Sequence, residues 1–197
     1  PTIKNEDTYS TGTAIMGRLN YTLMNRYFLT LSIRRDGYSA FGMENPYATF
    51  PSGALAWNLS DESFFNIKWI NNLKVRASYG INGNRDIGIY DALAKLETNK
   101  YLTGSTLISG IYSSSLANQY LKWEKTKALN LGLDFSILNS RLNGSVDYYS
   151  MITNDLLLKR SLPTIIGYDN VMSNMGELQN KGFEMTLNSY NIQNKDF

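Results

Sequence analysis

The chain of 197 residues carries a formal charge of only +2 at neutral pH, so it offers no basic footprint for nucleic acid. It contains no cysteine and no histidine. Disulfides, thiolate metal sites and the commonest general base and metal ligand are thereby excluded, and no cofactor, metal centre or catalytic residue is expected.

The first predicted strand covers 14–23, AIMGRLNYTL, with Ile15, Gly17, Leu19, Tyr21 and Leu23 on one face and Met16, Arg18, Asn20 and Thr22 on the other. A tight turn at 24–26 leads to a second strand, 27–35, where Tyr27, Leu29, Leu31 and Ile33 alternate with Thr30, Ser32 and Arg34. Phe28 is the exception on the polar face. Residues 36–46 are rich in Gly, Ser, Asn and Pro and read as a loop. The third strand covers 49–59, with Pro51 predicting a bulge or a late start. The connection 60–72 is expected to carry a short helix capped by Ser60 or Asp61.

The fourth strand opens with LKVRASYGINGN at 73–84, in which Leu73, Val75, Ala77, Tyr79 and Ile81 alternate with Lys74, Arg76, Ser78 and Gly80. A long mixed loop is expected at 83–121. The fifth strand spans 123–138, Asn139-Ser140 form a two-residue hairpin turn, and the sixth strand spans 141–152. A second long connection, 153–181, precedes a seventh strand at 182–192.

These strands mostly run to ten residues or more, whereas globular strands average roughly five or six. Short connections alternate with long ones, and every strand has one apolar and one polar face. Aromatics make up 13% of the chain, fourteen of them tyrosines, a residue suited to membrane interfaces. Together these features predict an all-β fold, a fragment of a large antiparallel transmembrane β-barrel with about seven strands present. A soluble all-β carbohydrate-binding module with tyrosine-rich loops is the alternative; a β-fold glycosidase lacks any paired carboxylates to support it. Seven strands cannot close a single-chain bacterial barrel. The opening PTIK and closing NKDF read as mid-protein ends, and an internal piece is expected.

Several stretches, in order, resemble the SusC/RagA-type family of TonB-linked (TonB-dependent) outer-membrane transporters. They are GRLNYTLMNRYFLTLSIRRDGYSAFG at 17–42, YATFPSGALAWNLSDESFF at 47–65 and LKVRASYGINGNRDIGIY at 73–90. LKWEKTKALNLGLDFSILNSRLNGSVDYYSMITNDLLL at 121–158 and LPTIIGYDNVMSNMGELQNKGFEMTLN at 162–188 complete the series. The resemblance implies a barrel of about twenty-two strands with its lumen filled by a plug. Residues 1–197 would then form part of one receptor barrel domain in its C-terminal half, with the plug and TonB box outside this chain. It further implies a cell outer-membrane location, a SusD-like surface lipoprotein partner, energy from TonB through the absent plug, and oligosaccharides or peptides as substrates.

Three groups of site residues follow. Tyr21, Tyr27, Trp57, Tyr79 and Tyr148 are expected in an interface girdle against outer-membrane lipid, or in ordinary cross-strand packing. Tyr101, Tyr112, Tyr120, Trp123 and Tyr168 are candidates for substrate or lipoprotein contact, or for packing loops together. Arg18, Arg34, Lys74, Arg76, Asp134, Asp147 and Glu184 are expected to face the lumen, either paired with the plug or lining a solvated wall. GINGN at 80–84 lacks the lysine of a phosphate loop and reads as a turn, Asp61-Glu62 as a helix start, and the Asn-x-Ser/Thr triplets at Asn20, Asn58 and Asn143 as without meaning in a bacterial strand.

Overall fold

A computed structural model describes residues 7–192; the PTIK and NKDF segments lie outside the described residues. In chain order the strands are β1 (Gly12–Leu23), β2 (Tyr27–Tyr38), β3 (Tyr47–Asn58), β4 (Ile70–Asn84), β5 (Leu96–Thr103), β6 (Thr106–Ser113), β7 (Ser115–Leu116), β8 (Glu124–Ile137), β9 (Leu142–Asn154), β10 (Leu157–Ser161), β11 (Asn170–Asn174) and β12 (Glu177–Ser189). Seven of them form one antiparallel sheet in the order β1-β2-β3-β4-β8-β9-β12. A twelve-residue strand such as β1 is about 40 Å long, enough to cross a bilayer at a steep tilt.

The turns at one end of the sheet are short. Arg26 N–H donates to Leu23 O at 3.0 Å, and Met24 and Asn25 both have left-handed φ values of 53° and 55°. That backbone matches the twist of the flanking strands. The β8–β9 connection, 138–141, closes the same way, with Arg141 N–H on Leu138 O at 3.2 Å around Asn139 and Ser140. It is thus four residues between strands, centred on the expected pair. The third connection at this end, 59–69, forms only a three-residue 3-10 turn, Leu59–Asp61, in place of the expected helix. A lone short helix nucleates poorly, and Glu62 is instead drawn back onto the strands.

The opposite end carries the long connections, and they are more ordered than composition suggests. The 83–121 stretch holds a free-standing hairpin, β5–β6, turned at Gly104-Ser105, rather than an unstructured loop. The 153–181 stretch holds β10 and β11, and β11 pairs in parallel with β7. β12 starts at Glu177 because Asn154 continues the β9 ladder opposite it, so the seventh strand begins earlier than its apolar alternation implies.

Pro51 causes no bulge in the β2–β3 ladder, where it sits opposite Ile33. Instead the β3–β4 ladder ends one residue later, at Ser52 opposite Gly80, so the missing donor falls where pairing stops. Beyond that point the sheet is filled by the main buried cluster: Phe41, Ala48, Phe50, Ala92, Leu121 and Trp123, at the long-loop end.

Candidate functional site

The register places a continuous apolar face on the sheet. Tyr21, Leu29, Leu55, Ala77, Leu131, Tyr148 and Phe183 lie side by side across all seven strands. The next row toward the short turns is Leu23, Tyr27, Trp57, Val75, Leu133, Val146 and Met185. No described residue covers these rows: Leu55 is 60% exposed and Phe183 78%. Soluble proteins rarely leave an apolar surface of this extent uncovered, and the buried cluster at the long-loop end does not pack against these rows, which counts against the soluble-module alternative. Toward the long loops the face turns polar, with Lys127 and Lys181. About five rows, each two residues up the strand, give a band on the order of 20–25 Å once tilt is included.

Tyr21, Tyr27, Trp57, Tyr79 and Tyr148 all stand on this face. Tyr27 and Trp57 share the row nearest the short turns, Tyr21 and Tyr148 the next, and Tyr79 lies one row farther up. Tyr148 rests against Phe183 with ring centroids 4.9 Å apart. Tyr27 and Trp57 stack at 6.0 Å. Their polar tips converge on Glu62 in the 59–69 connection. The Tyr27 hydroxyl donates to Glu62 Oε1 at 2.6 Å, the Trp57 indole N–H to the same oxygen at 3.0 Å, and Arg26 Nη1 to Oε2 at 3.2 Å. The hydrogen bonds from Tyr27 and Trp57, helped by Arg26, hold the Glu62 carboxyl below its ordinary range. The sequence marked Glu62 only as part of a helix start and gave no sign of this node, because its donors come from the β1–β2 turn, β2 and β3.

The polar face carries all seven expected charges. One row reads Thr22, Phe28, Ala56, Arg76, Gly132, Asp147 and Glu184. Arg76 bonds Asp134 through two parallel contacts of 2.8 Å and reaches Asp147 at 3.1 Å. Its guanidinium lies across Gly132, where an added Cβ would meet Asp147 Oδ1 at 2.5 Å and Arg76 Cζ at 2.8 Å. Lys74 sits over the ring of Phe28, 5.1 Å from its centroid, which accounts for an aromatic on the polar face. Arg34 pairs with Asp36 at 2.7 Å, a partner the alternation did not single out because it lay in the expected loop. Arg18 and Glu184 make no ion pair among the described residues.

The five loop aromatics are not brought together. Tyr101 and Tyr112 lie on the β5–β6 hairpin, and the Tyr112 hydroxyl faces Glu97 at 3.4 Å. Tyr120 is 74% exposed and Tyr168 half-buried. Trp123 is 2% exposed, stacked on Phe41 at 4.8 Å, edge-on to Phe50 at 5.6 Å, with its indole N–H on Pro46 O. Its ring packs the loops together, with little of it left exposed. The arrangement holds no group of three or more metal-ligating side chains among the described residues. Its chemistry is that of a wall: one face apolar, the other charged, with a structured rim.

Residues 1–195 match the family model described as "TonB dependent receptor-like, beta-barrel". Among curated proteins, the chain is 44% identical over 185 residues to TonB-dependent receptor P3 of Formosa agariphila, covering 93% of this chain and 18% of that protein. It is 39% identical to TonB-dependent receptor SusC of Bacteroides thetaiotaomicron, covering 96% of this chain and 20% of SusC. The chain thus spans about a fifth of the length of these relatives. Among solved structures, the RagAB peptide transporter superposes with a TM-score of 0.84 at 31% identity, over 95% of this chain and 20% of that one. The siderophore receptor PirA of Pseudomonas aeruginosa shares the fold alone, with a TM-score of 0.59 at 16% identity over 89% of this chain and 30% of that one.

Proposed function

Because this chain belongs to the TonB-dependent receptor-like β-barrel family of outer-membrane proteins, we propose that it forms part of the wall and outer rim of a receptor importing oligosaccharides or peptides. The observation that carries this reading is the two-faced sheet: uncovered apolar rows across seven strands, backed by a face that bears ion pairs. Lipid satisfies the first face and a watery or plug-filled lumen the second. In this reading the residues 1–197 are one part of a barrel domain, and the plug lies elsewhere in the receptor. TonB acts through that plug, and a SusD-like lipoprotein docks on the outside; the likeness to SusC and to the RagAB transporter supports both partners.

Within the wall, Tyr27 and Trp57, with Tyr21 and Tyr148 in the next row, anchor the barrel toward the inner interface, and Tyr79 stands higher on the lipid face. Arg18, Arg34, Lys74, Arg76, Asp134, Asp147 and Glu184 face the lumen. Tyr101, Tyr112, Tyr120 and Tyr168 stand where substrate or lipoprotein arrives, and Trp123 holds the rim together. The work is positioning rather than bond chemistry. Deleting the receptor gene tests the reading: cells should lose growth on an oligomeric nutrient while retaining growth on its monomer. Unchanged growth on every oligomer would contradict it.

A further inference from the structure

On the polar face a cavity of about 480 Å³ lies between mid-strand and the long-loop end, a size that suits one or two sugar rings. Three guanidiniums line it, from Arg18 on β1, Arg34 on β2 and Arg85 just beyond β4. One carboxylate lines it as well, Asp36, and it is engaged by Arg34 Nε at 2.7 Å. Arg85 lies 4.8 Å from the centroid of the Tyr38 ring, which orients the guanidinium without neutralising it. Arg18 has no acidic partner among the described residues. The cavity therefore sets three cations against one anion. Its wall also holds the rings of Phe50 and Trp123, which keep one side dry, and the paired hydroxyls of Ser32 and Ser52.

This composition contrasts with the rest of the polar face. Lower down, Arg76 is matched by two carboxylates, Asp134 and Asp147, and its charge is spent. In the upper cavity the positive excess stands beside apolar walls, where an entering oxyanion gains charge-assisted, forked hydrogen bonds. We propose that this cavity is a subsite for a carboxylate or sulfate group of an anionic substrate. The inference rests on the importer reading and narrows it to a charge class.

The test uses the full receptor in its cells. A wild-type strain, a receptor-deleted strain, and strains with R18Q/R85Q and R18K/R85K are offered one mixture. It contains neutral, uronate-bearing and sulfate-bearing oligosaccharides together with neutral and acidic peptides, and depletion is followed by mass spectrometry. The wild type should deplete anionic compounds that the deleted strain leaves. R18Q/R85Q should slow this by about tenfold, the loss of a charge-assisted contact, and R18K/R85K should restore much of it. Receptor-dependent depletion confined to neutral compounds, or anionic uptake unaffected in a correctly inserted R18Q/R85Q, overturns the subsite and leaves the importer reading standing. Identical depletion by wild-type and deleted strains removes both. Selenate soaked into crystals of the intact receptor identifies the source of the anion. Anomalous signal between the guanidiniums marks a site open to free ligand, and a carboxylate of the receptor seated on them overturns the proposal.

Discussion

At single positions, Gly132 shows how closely the polar face is fitted. The Arg76 guanidinium occupies the space a side chain would need, so Gly132→Val must push apart the Arg76–Asp134–Asp147 group. Overpacking of this kind costs about 1–3 kcal/mol. The unfolding midpoint of the full receptor, read by its heat-dependent gel mobility, should fall for G132V. It should stay near wild type for Gly17→Ala, whose new methyl would meet Ile33 Cγ2 at a comfortable 3.9 Å. Glu62 carries a pH dependence. Its folded pKa is lowered below the ordinary 4.5, so its contribution is complete above that value and is lost as pH falls through the folded pKa. The stability gap between wild type and Glu62→Gln should therefore shrink on going from neutral pH to the acid side of that window. A gap that widens in acid would contradict the assignment of Tyr27, Trp57 and Arg26 as its donors.

Among the elements, the β5–β6 hairpin stands apart from the main sheet, and among the described residues its strands pair only with each other. Replacing 96–113 by a short Gly/Ser linker should leave barrel assembly and the unfolding midpoint intact while weakening substrate or lipoprotein binding. Failure to assemble would show that the hairpin belongs to the wall. The turn of this hairpin was marked in the sequence by Gly104-Ser105, yet β5, LETNKYLT, lacks an apolar alternation, and the surrounding Gly, Ser and Asn made the whole stretch read as loop. The seven sheet strands were legible because each satisfies two solvents at once, and period-two alternation is the only pattern that does so. Strand ends were less legible. β2 runs on through Asp36 and Gly37, whose composition signals a turn, because Ala48 and Tyr47 pair with them and Arg34 holds Asp36. The Glu62 node and the Arg18–Arg34–Arg85 cavity were hidden for another reason. Each joins residues from several strands, and only the cross-strand register brings them together.

On the scale of the whole molecule, among the described residues the sheet has two open edges, β1 and β12, and an apolar face that none of them covers. Unpaired edges in lipid are costly, and closure by further strands removes them. Expressed alone, residues 1–197 should require detergent and show no cooperative melting; a soluble species that melts cooperatively would mean that the apolar rows bury against each other. The most direct test of the two-faced wall exploits the absence of native cysteine in this stretch. Single cysteines are placed in turn along 52–57 of β3 in the full receptor, spin-labelled in native outer membranes, and probed by oxygen and by a water-soluble nickel complex. The account predicts a period of two, with oxygen collisions dominant at positions 53, 55 and 57 and the nickel complex or protein contact dominant at 52, 54 and 56. Uniform access of the nickel complex along the strand, or the opposite phase, would contradict it.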